Sequence, residues 1–345
     1  MSQYPIGREV TPLSRKDLQS NQEVRWCLGC GDYAILKQVQ SALSTLEVPR
    51  ENFVFVSGIG CSSRFPYYMN TFGLHTIHGR APAFATGIKA LRPELNVWVV
   101  TGDGDALSIG GNQLIHLLRR NLDLTILLFN NQIYGLTKGQ YSPTSERGKV
   151  TKSTPAGSLE APLRPLQLAL GAQATFLARA VDIDGPLLQD ILARAAAHRG
   201  TALVEIYQNC NIFNDDAFIE ITERGRREES QLRLQHGAPL RFGKDGRFGL
   251  RYNARGELER CLVEEVGVEA LCLHDEESSS LAWQLASMEG VPTPLGVLRA
   301  VDAPRYEEGL AMQIKEAEAT RSTQSRRAAL QALFESGDCW EVGPR

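Results

Sequence analysis

The chain has no excess of positive charge, no long apolar run, and no basic start leading into a short one. Each absence removes a class of function. Its 37 Lys and Arg stand against 40 Asp and Glu, a formal net charge of −3, and its pI is ≈ 6.1. A nucleic-acid-binding domain normally carries a basic excess, so the short RGRR run at 224–227 reads as a solvated connector rather than a phosphate patch. The longest apolar runs, such as LTILLF at 124–129, fall far short of the ~20 residues needed to span a bilayer. No secretory pattern is visible at the start. A soluble, cytoplasmic protein is expected, without membrane or nucleic-acid contact. In that reducing compartment the seven cysteines point to metal or catalysis rather than to disulfides. Internal repeats and low-complexity runs are absent as well.

What is present is an alternation. NFVFVSG (52–58), NVWVVTG (96–102), LTILLFNN (124–131), ATFLARA (174–180) and TALVEIY (201–207) are short, apolar or β-branched segments. Between them lie helix-like stretches at 34–46, 80–91, 112–121 and 185–199. Such spacing predicts an α/β fold with a mainly parallel sheet and helices on both faces. Right-handed crossovers then place the loops that follow the strands on one sheet edge, where ligands bind in such folds. The block is expected to fill residues 1–222. A charged connector and C-terminal extension would fill 223–345, with ALCLHD (270–275) as a strand, 280–290 as a helix, and a helix-compatible stretch from Tyr306 to Phe334. The polar loop 135–157 is long enough to be functional or mobile.

GDGDALSIGGNQ follows the strand at 96–102, and NNQIYG follows the strand at 124–129. Asp103 and Asn131 are 28 positions apart, a strand–helix–strand interval that puts both on the same edge. A carboxylate, an amide oxygen and the Ile133 carbonyl suit Mg²⁺, which takes few protein ligands and completes its octahedron with phosphate oxygens and water. Gly110 and Gly111 open the next helix, whose free N–H groups could face a diphosphate. GDG alone is as readily a plain turn. With the paired asparagines, the arrangement resembles the diphosphate-binding motif of thiamine diphosphate enzymes.

Cys27 and Cys30 form a C-x-x-C in WCLGCGD. Cys61, in SGIGCSSR, and Cys210, in YQNCNIFND, each follow a strand. A C-x-x-C can hold zinc, act as a redox dithiol or ligate a cluster. The second C-x-x-C of a zinc ribbon is missing, and a dithiol oxidoreductase would need neither Cys61 nor Cys210. Four thiolates from one pair and two distant loops suit a single [4Fe–4S] cluster better. Either loop cysteine taken alone would more often be a small buried side chain. Cys261, Cys272 and Cys339 read as ordinary thiols.

WCLGCGD, SGIGCSSR, GLHTIHGRAPAFATGIK, GDGDALSIGGNQ, NNQIYGLTKGQYSPT and QNCNIFND, in that order over residues 20–220, resemble the β subunit of 2-oxoacid:ferredoxin oxidoreductases. The resemblance implies a thiamine diphosphate-binding fold, with Cys27, Cys30, Cys61 and Cys210 on one [4Fe–4S] cluster and Asp103, Asn131 and the Ile133 carbonyl on Mg²⁺. Leu28 stands where many relatives have proline. The cofactor would lie among Gly60, Cys61, Ser62, His78, Gly102, Asp103, Gly104, Asp105, Asn131, Ile133, Gly135, Leu136 and Thr137. The implied reaction is oxidative decarboxylation of a 2-oxoacid with coenzyme A, passing electrons through the cluster to ferredoxin. An α subunit would bring the pyrimidine-binding domain, in an α₂β₂ assembly.

Arg64, three residues after Cys61, could bind the distal carboxylate of 2-oxoglutarate in bidentate fashion. Relatives with a cation at this point look like 2-oxoglutarate enzymes, so succinyl-CoA is the expected product. Arg64 could equally be a surface cation. His75, His78 and Arg80 are candidates for substrate or diphosphate contact and for proton transfer. Leu136 would line the pocket with Thr137 and Lys138. The alternatives are the same chemistry on pyruvate or another 2-oxoacid, or a non-catalytic metal-binding regulatory subunit.

Overall fold

The computed structural model describes residues 12–288, 290–319 and 325–343. Its strands, in chain order, are β1 (Phe53–Ser57), β2 (Phe72–His75), β3 (Asn96–Gly102), β4 (Leu124–Asn130), β5 (Phe176–Val181), β6 (Thr201–Tyr207), β7 (Gln231–Arg233), β8 (Arg241–Phe242), β9 (Phe248–Tyr252), β10 (Leu258–Leu262) and β11 (Thr293–Ala300). Among the described residues eight of them form one sheet in the order β2-β1-β3-β4-β6-β5-β11-β7, and β10-β9-β8 form a small second sheet. The first six positions pair in parallel; β11 runs antiparallel to β5, and β7 parallel to β11.

The central strands are buried on both faces, which is why they read as continuous apolar runs. In β3, Val97 and Val99 enter one core while Trp98 and Val100 enter the other. β4 divides its side chains likewise, Ile126 and Leu128 against Leu127 and Phe129. The helix Gly111–Arg120 buries Leu114, Leu117 and Leu118, spaced by three and four residues on one stripe; each such leucine contributes about 1.5–3 kcal/mol. The helices Asp32–Leu43 and Gly185–Ala197 cover the opposite face. Asp184 caps the latter by accepting the Leu187 N–H at 3.1 Å.

Two strands escaped the pattern reading. β2 is an exposed edge strand of four residues within a stretch read as site loop. β11 contains Pro294 and Gly296, residues that argue against a strand. ALCLHD, by contrast, forms no strand. Its backbone bonds are divided among Leu240, Leu250 and Ala238, and Leu273 makes one isolated bridge to Pro239, so no ladder develops.

Residues beyond 222 thus add β7 and β11 to the main sheet. One compact unit runs to Glu307 and a second spans Glu308–Arg345. Helices form over Tyr306–Ala319 and Arg326–Phe334; positions 320–324 of the stretch expected to be helical lie outside the described residues, as does 289. No helix among the described residues is long and apolar enough to cross a membrane.

Candidate active site

Parallel register brings four strand ends to one edge. Gly102 pairs with Phe129, and Asn130 with Tyr207, so the chain leaves β3, β4 and β6 side by side, with β1 next to β3. A cleft of about 40 Å³ opens there, lined by Gly60–Ser62, Gly102–Asp105, Asn131, Ile133 and Gly135. Asp103 is 2% exposed, and its Oδ2 accepts hydrogen bonds from Ser142 Oγ at 2.5 Å and Thr144 Oγ1 at 2.6 Å. Burial pushes its carboxyl up to about 6, against the lowering effect of those hydroxyls. Asp105 accepts from Thr101 Oγ1 and the N–H groups of Ile59 and Gly79, with His78 Nδ1 at 2.5 Å from its Oδ1.

A second cavity, of about 200 Å³, adjoins the cleft and is lined by Cys27, Cys30, Cys61 and Cys210. Cys61, Asn131 and Gly135 line both spaces. Gly135 lies against both loop cysteines: a Cβ there would be in ordinary contact with Cys210 Sγ at 3.5 Å and Cys61 Sγ at 3.6 Å. The C-x-x-C turn needs Gly29, whose φ is +84° and which no L side chain adopts without strain. Trp26 ties that turn to the β1 loop by donating Nε1–H to Cys61 O at 2.7 Å, and its ring packs edge-on against Tyr33 and Tyr68. Burial, then the Asp32 carboxyl, then the neighbouring thiols push Cys61 up to about 12, with Arg64 acting in the opposite sense. The Cys30 thiol is raised too, mainly by burial and then by Asp32.

Residues 58–206 match the family model described as "Thiamine pyrophosphate enzyme, C-terminal TPP binding domain". The 2-oxoglutarate oxidoreductase subunit KorB of Mycobacterium tuberculosis is 52% identical over 336 residues, covering 96% of this chain and 89% of that protein. The chain belongs to the β subunits of the 2-oxoacid:ferredoxin oxidoreductases. The 2-oxoglutarate synthase subunit KorB of Archaeoglobus fulgidus is 44% identical over 54% of this chain and 69% of its own length. Among solved structures, the 2-oxoglutarate:ferredoxin oxidoreductase from Magnetococcus marinus, with 2-oxoglutarate, coenzyme A and succinyl-CoA bound, superposes with a TM-score of 0.75 at 33% identity, covering 93% of this chain and 96% of that one.

In this β subunit Gly60, Cys61, Ser62, Gly102, Asp103, Gly104, Asp105, Asn131, Ile133 and Gly135 share the cleft, while Arg64 and Leu136 line the cysteine cavity. His78 bonds Asp105 and lines neither space. Thr137 bonds Gln140 at 2.5 Å and lines neither space. His75 packs its ring against Tyr67, with centroids 5.5 Å apart. Arg80 donates to Ile109 O and Gln113 Oε1, at 3.0 and 3.2 Å. Neither His75 nor Arg80 lines either space.

Several residues at the site carried no sequence signal of their own. Asp32, 2% exposed, lines the cleft with Oδ2 unpartnered; burial and the nearby Asp182 push it up to about 7. Ser142 and Thr144 reach Asp103 from the loop after β4, a long-range contact that no local pattern encodes. Gln208, two residues before Cys210, lines the cysteine cavity and accepts Asn131 Nδ2–H at 2.8 Å.

Proposed function

We propose that this chain is the β subunit of a thiamine diphosphate-dependent 2-oxoglutarate:ferredoxin oxidoreductase. It would convert 2-oxoglutarate and coenzyme A to succinyl-CoA and CO₂ and pass the electrons through one [4Fe–4S] cluster to ferredoxin. The observation that carries this reading is the shared wall. The four cysteines line a cavity that shares Cys61, Asn131 and Gly135 with the diphosphate-motif cleft, which would put electron donor and acceptor side by side.

The residues present fit both groups. Asp103 is a buried acid whose bonded partners on Oδ2 are hydroxyls, in the same cleft as Asn131 and Ile133; an oxygen set with a buried negative charge suits Mg²⁺. Cys27, Cys30, Cys61 and Cys210 line one cavity, and four thiolates around one space suit a [4Fe–4S] cluster. Cys27, Cys30, Cys61 and Cys210 would hold it. Asp103, Asn131 and the Ile133 carbonyl would hold Mg²⁺, with the backbone of Gly102–Asp105 and Gly60–Ser62 around the diphosphate. Thiamine diphosphate, when bound, supplies the electron sink for decarboxylation.

Arg64 serves as the recognition group for the distal carboxylate. It lines the cysteine cavity and donates to Arg25 O at 3.2 Å, which leaves further guanidinium N–H groups for a dicarboxylate substrate. The KorB relatives named above carry 2-oxoglutarate in their names, and the bound 2-oxoglutarate, coenzyme A and succinyl-CoA of the Magnetococcus marinus enzyme agree with that substrate. As a β subunit the chain works with an α subunit that supplies the pyrimidine-binding domain, in an α₂β₂ assembly in the cytoplasm. The test is to co-purify the chain anaerobically with its genomic neighbour and to assay 2-oxoglutarate, coenzyme A and a low-potential viologen. The expected result is reduction specific to 2-oxoglutarate, with thiamine and about four irons per β chain. Turnover with pyruvate alone would remove the role of Arg64, and zinc without thiamine would overturn the whole reading.

A further inference from the structure

Gln208 is 1% exposed, lines the cysteine cavity and bonds Asn131, which lines both spaces. Its Nε2 donates to the backbone carbonyl of Asn209 at 2.5 Å and to Cys30 Sγ at 3.2 Å. Its Oε1 accepts Asn131 Nδ2 at 2.8 Å. The direction of this chain is determined by chemistry. A backbone carbonyl only accepts, so the amide group facing Asn209 O is the NH₂. The Gln208 oxygen therefore points to Asn131, which must turn its own NH₂ inward. The Asn131 oxygen is left on the other side, where it accepts the Ile133 N–H at 3.2 Å, in the cleft with Asp103 and Ile133.

We propose that Gln208 is a positioning residue for both cofactors. It orients the Asn131 oxygen toward the Mg²⁺ site and donates an N–H to the sulfur of cluster ligand Cys30. The inference rests on the cluster and Mg²⁺ reading above and adds a physical link between them. An N–H···S bond stabilises the more negative, reduced cluster and so raises its potential, one of the levers by which a protein sets it. An amide that holds a ligand's orientation acts on the metal through that ligand, and loss of such a partner typically weakens metal binding about 10- to 100-fold.

Two variants separate the arms. Gln208→Met keeps the volume and removes both bonds. Gln208→Glu keeps an acceptor for Asn131 Nδ2 but takes the N–H from the sulfur. Both are prepared as the assembled holoenzyme, the cluster midpoint is read by EPR-monitored redox titration, and thiamine retention is measured against free Mg²⁺. The midpoint is expected to move to more negative potential in both variants. The Mg²⁺ needed for half-retention should rise roughly 10-fold or more in Gln208→Met and stay near wild type in Gln208→Glu. A role in packing alone would lower iron content while leaving the midpoint of the remaining cluster unchanged, and that result overturns the proposal. A wild-type holoenzyme without a cluster overturns this inference together with the reading beneath it; a normal wild-type cluster with unmoved variants overturns the inference alone.

Discussion

In the proposed reading, Arg64 carries the substrate specificity while its surroundings carry the chemistry. It follows Cys61 by a single helical turn, Ser62–Arg64, and so reaches the cysteine cavity from the same loop that contributes a thiol. Two charge-assisted bonds to a distal carboxylate, at ~1.5–3 kcal/mol each, are available to 2-oxoglutarate and not to pyruvate. Arg64→Ile is therefore expected to lower kcat/KM for 2-oxoglutarate by roughly 100- to 10,000-fold and to leave pyruvate turnover within a few-fold of its starting value. Parallel steady-state assays of the two substrates check this, and unchanged 2-oxoglutarate kinetics would remove Arg64 from recognition. Gly31 illustrates the opposite kind of residue, required for what it lacks: a Cβ there would fall 1.9 Å from Asp182 Oδ2.

Among the elements, the ends of β4, β5 and β6 are joined by buried polar groups that continue into the site. Arg179 Nε on β5 meets Glu205 Oε2 on β6 at 2.7 Å. Glu205 Oε1 accepts the Asn130 Nδ2–H at 2.8 Å, and Asn130 Oδ1 lies 2.9 Å from Thr144 Oγ1, which shares its one proton between Asn130 and Asp103. Thr144 in turn bonds Asp103, so the long loop after β4 is pinned to the strand ends at its polar stretch. Arg179 and Glu205 are 4% and 0% exposed. Removing one partner of such a pair strands the other, at about 3–5 kcal/mol. Arg179→Met should accordingly lower the unfolding free energy by that amount, read by denaturant titration. Arg179→Met combined with Glu205→Leu should recover much of the loss, since a pair replaced by apolar residues leaves no uncompensated charge. A double variant as unstable as the single one would show that Glu205 acts mainly through Asn130.

At the scale of the whole molecule, the thiamine match covers residues 58–206, and the proposed division of labour leaves the pyrimidine-binding half to an α subunit. The isolated chain should bind iron and yet show no measurable decarboxylation of 2-oxoglutarate, with turnover restored on adding the separately purified α subunit. Full activity from the chain alone would refute the division of labour. The unit that runs to Glu307 includes β7 and β11, so the charged region past the recognised block contributes to the sheet that carries the site.

Local patterning was enough to reveal the five central strands, the helices between them and the chemistry-bearing loops. Apolar runs of strand length have few other uses, and the glycine, cysteine and asparagine clusters follow those strands directly. It failed at β2 and β11, where exposure, proline and glycine mask a strand that only pairing with a neighbour creates. That four cysteines reach one cavity was legible as a strand-end argument. That the cavity shares a wall with the cleft, that Asp32 is buried there with an unpartnered oxygen, and that Gln208 joins Asn131 to Cys30 were not. Those relations depend on the register of adjacent strands and on long-range hydrogen bonds, and sequence spacing carries no information about which way a buried amide turns.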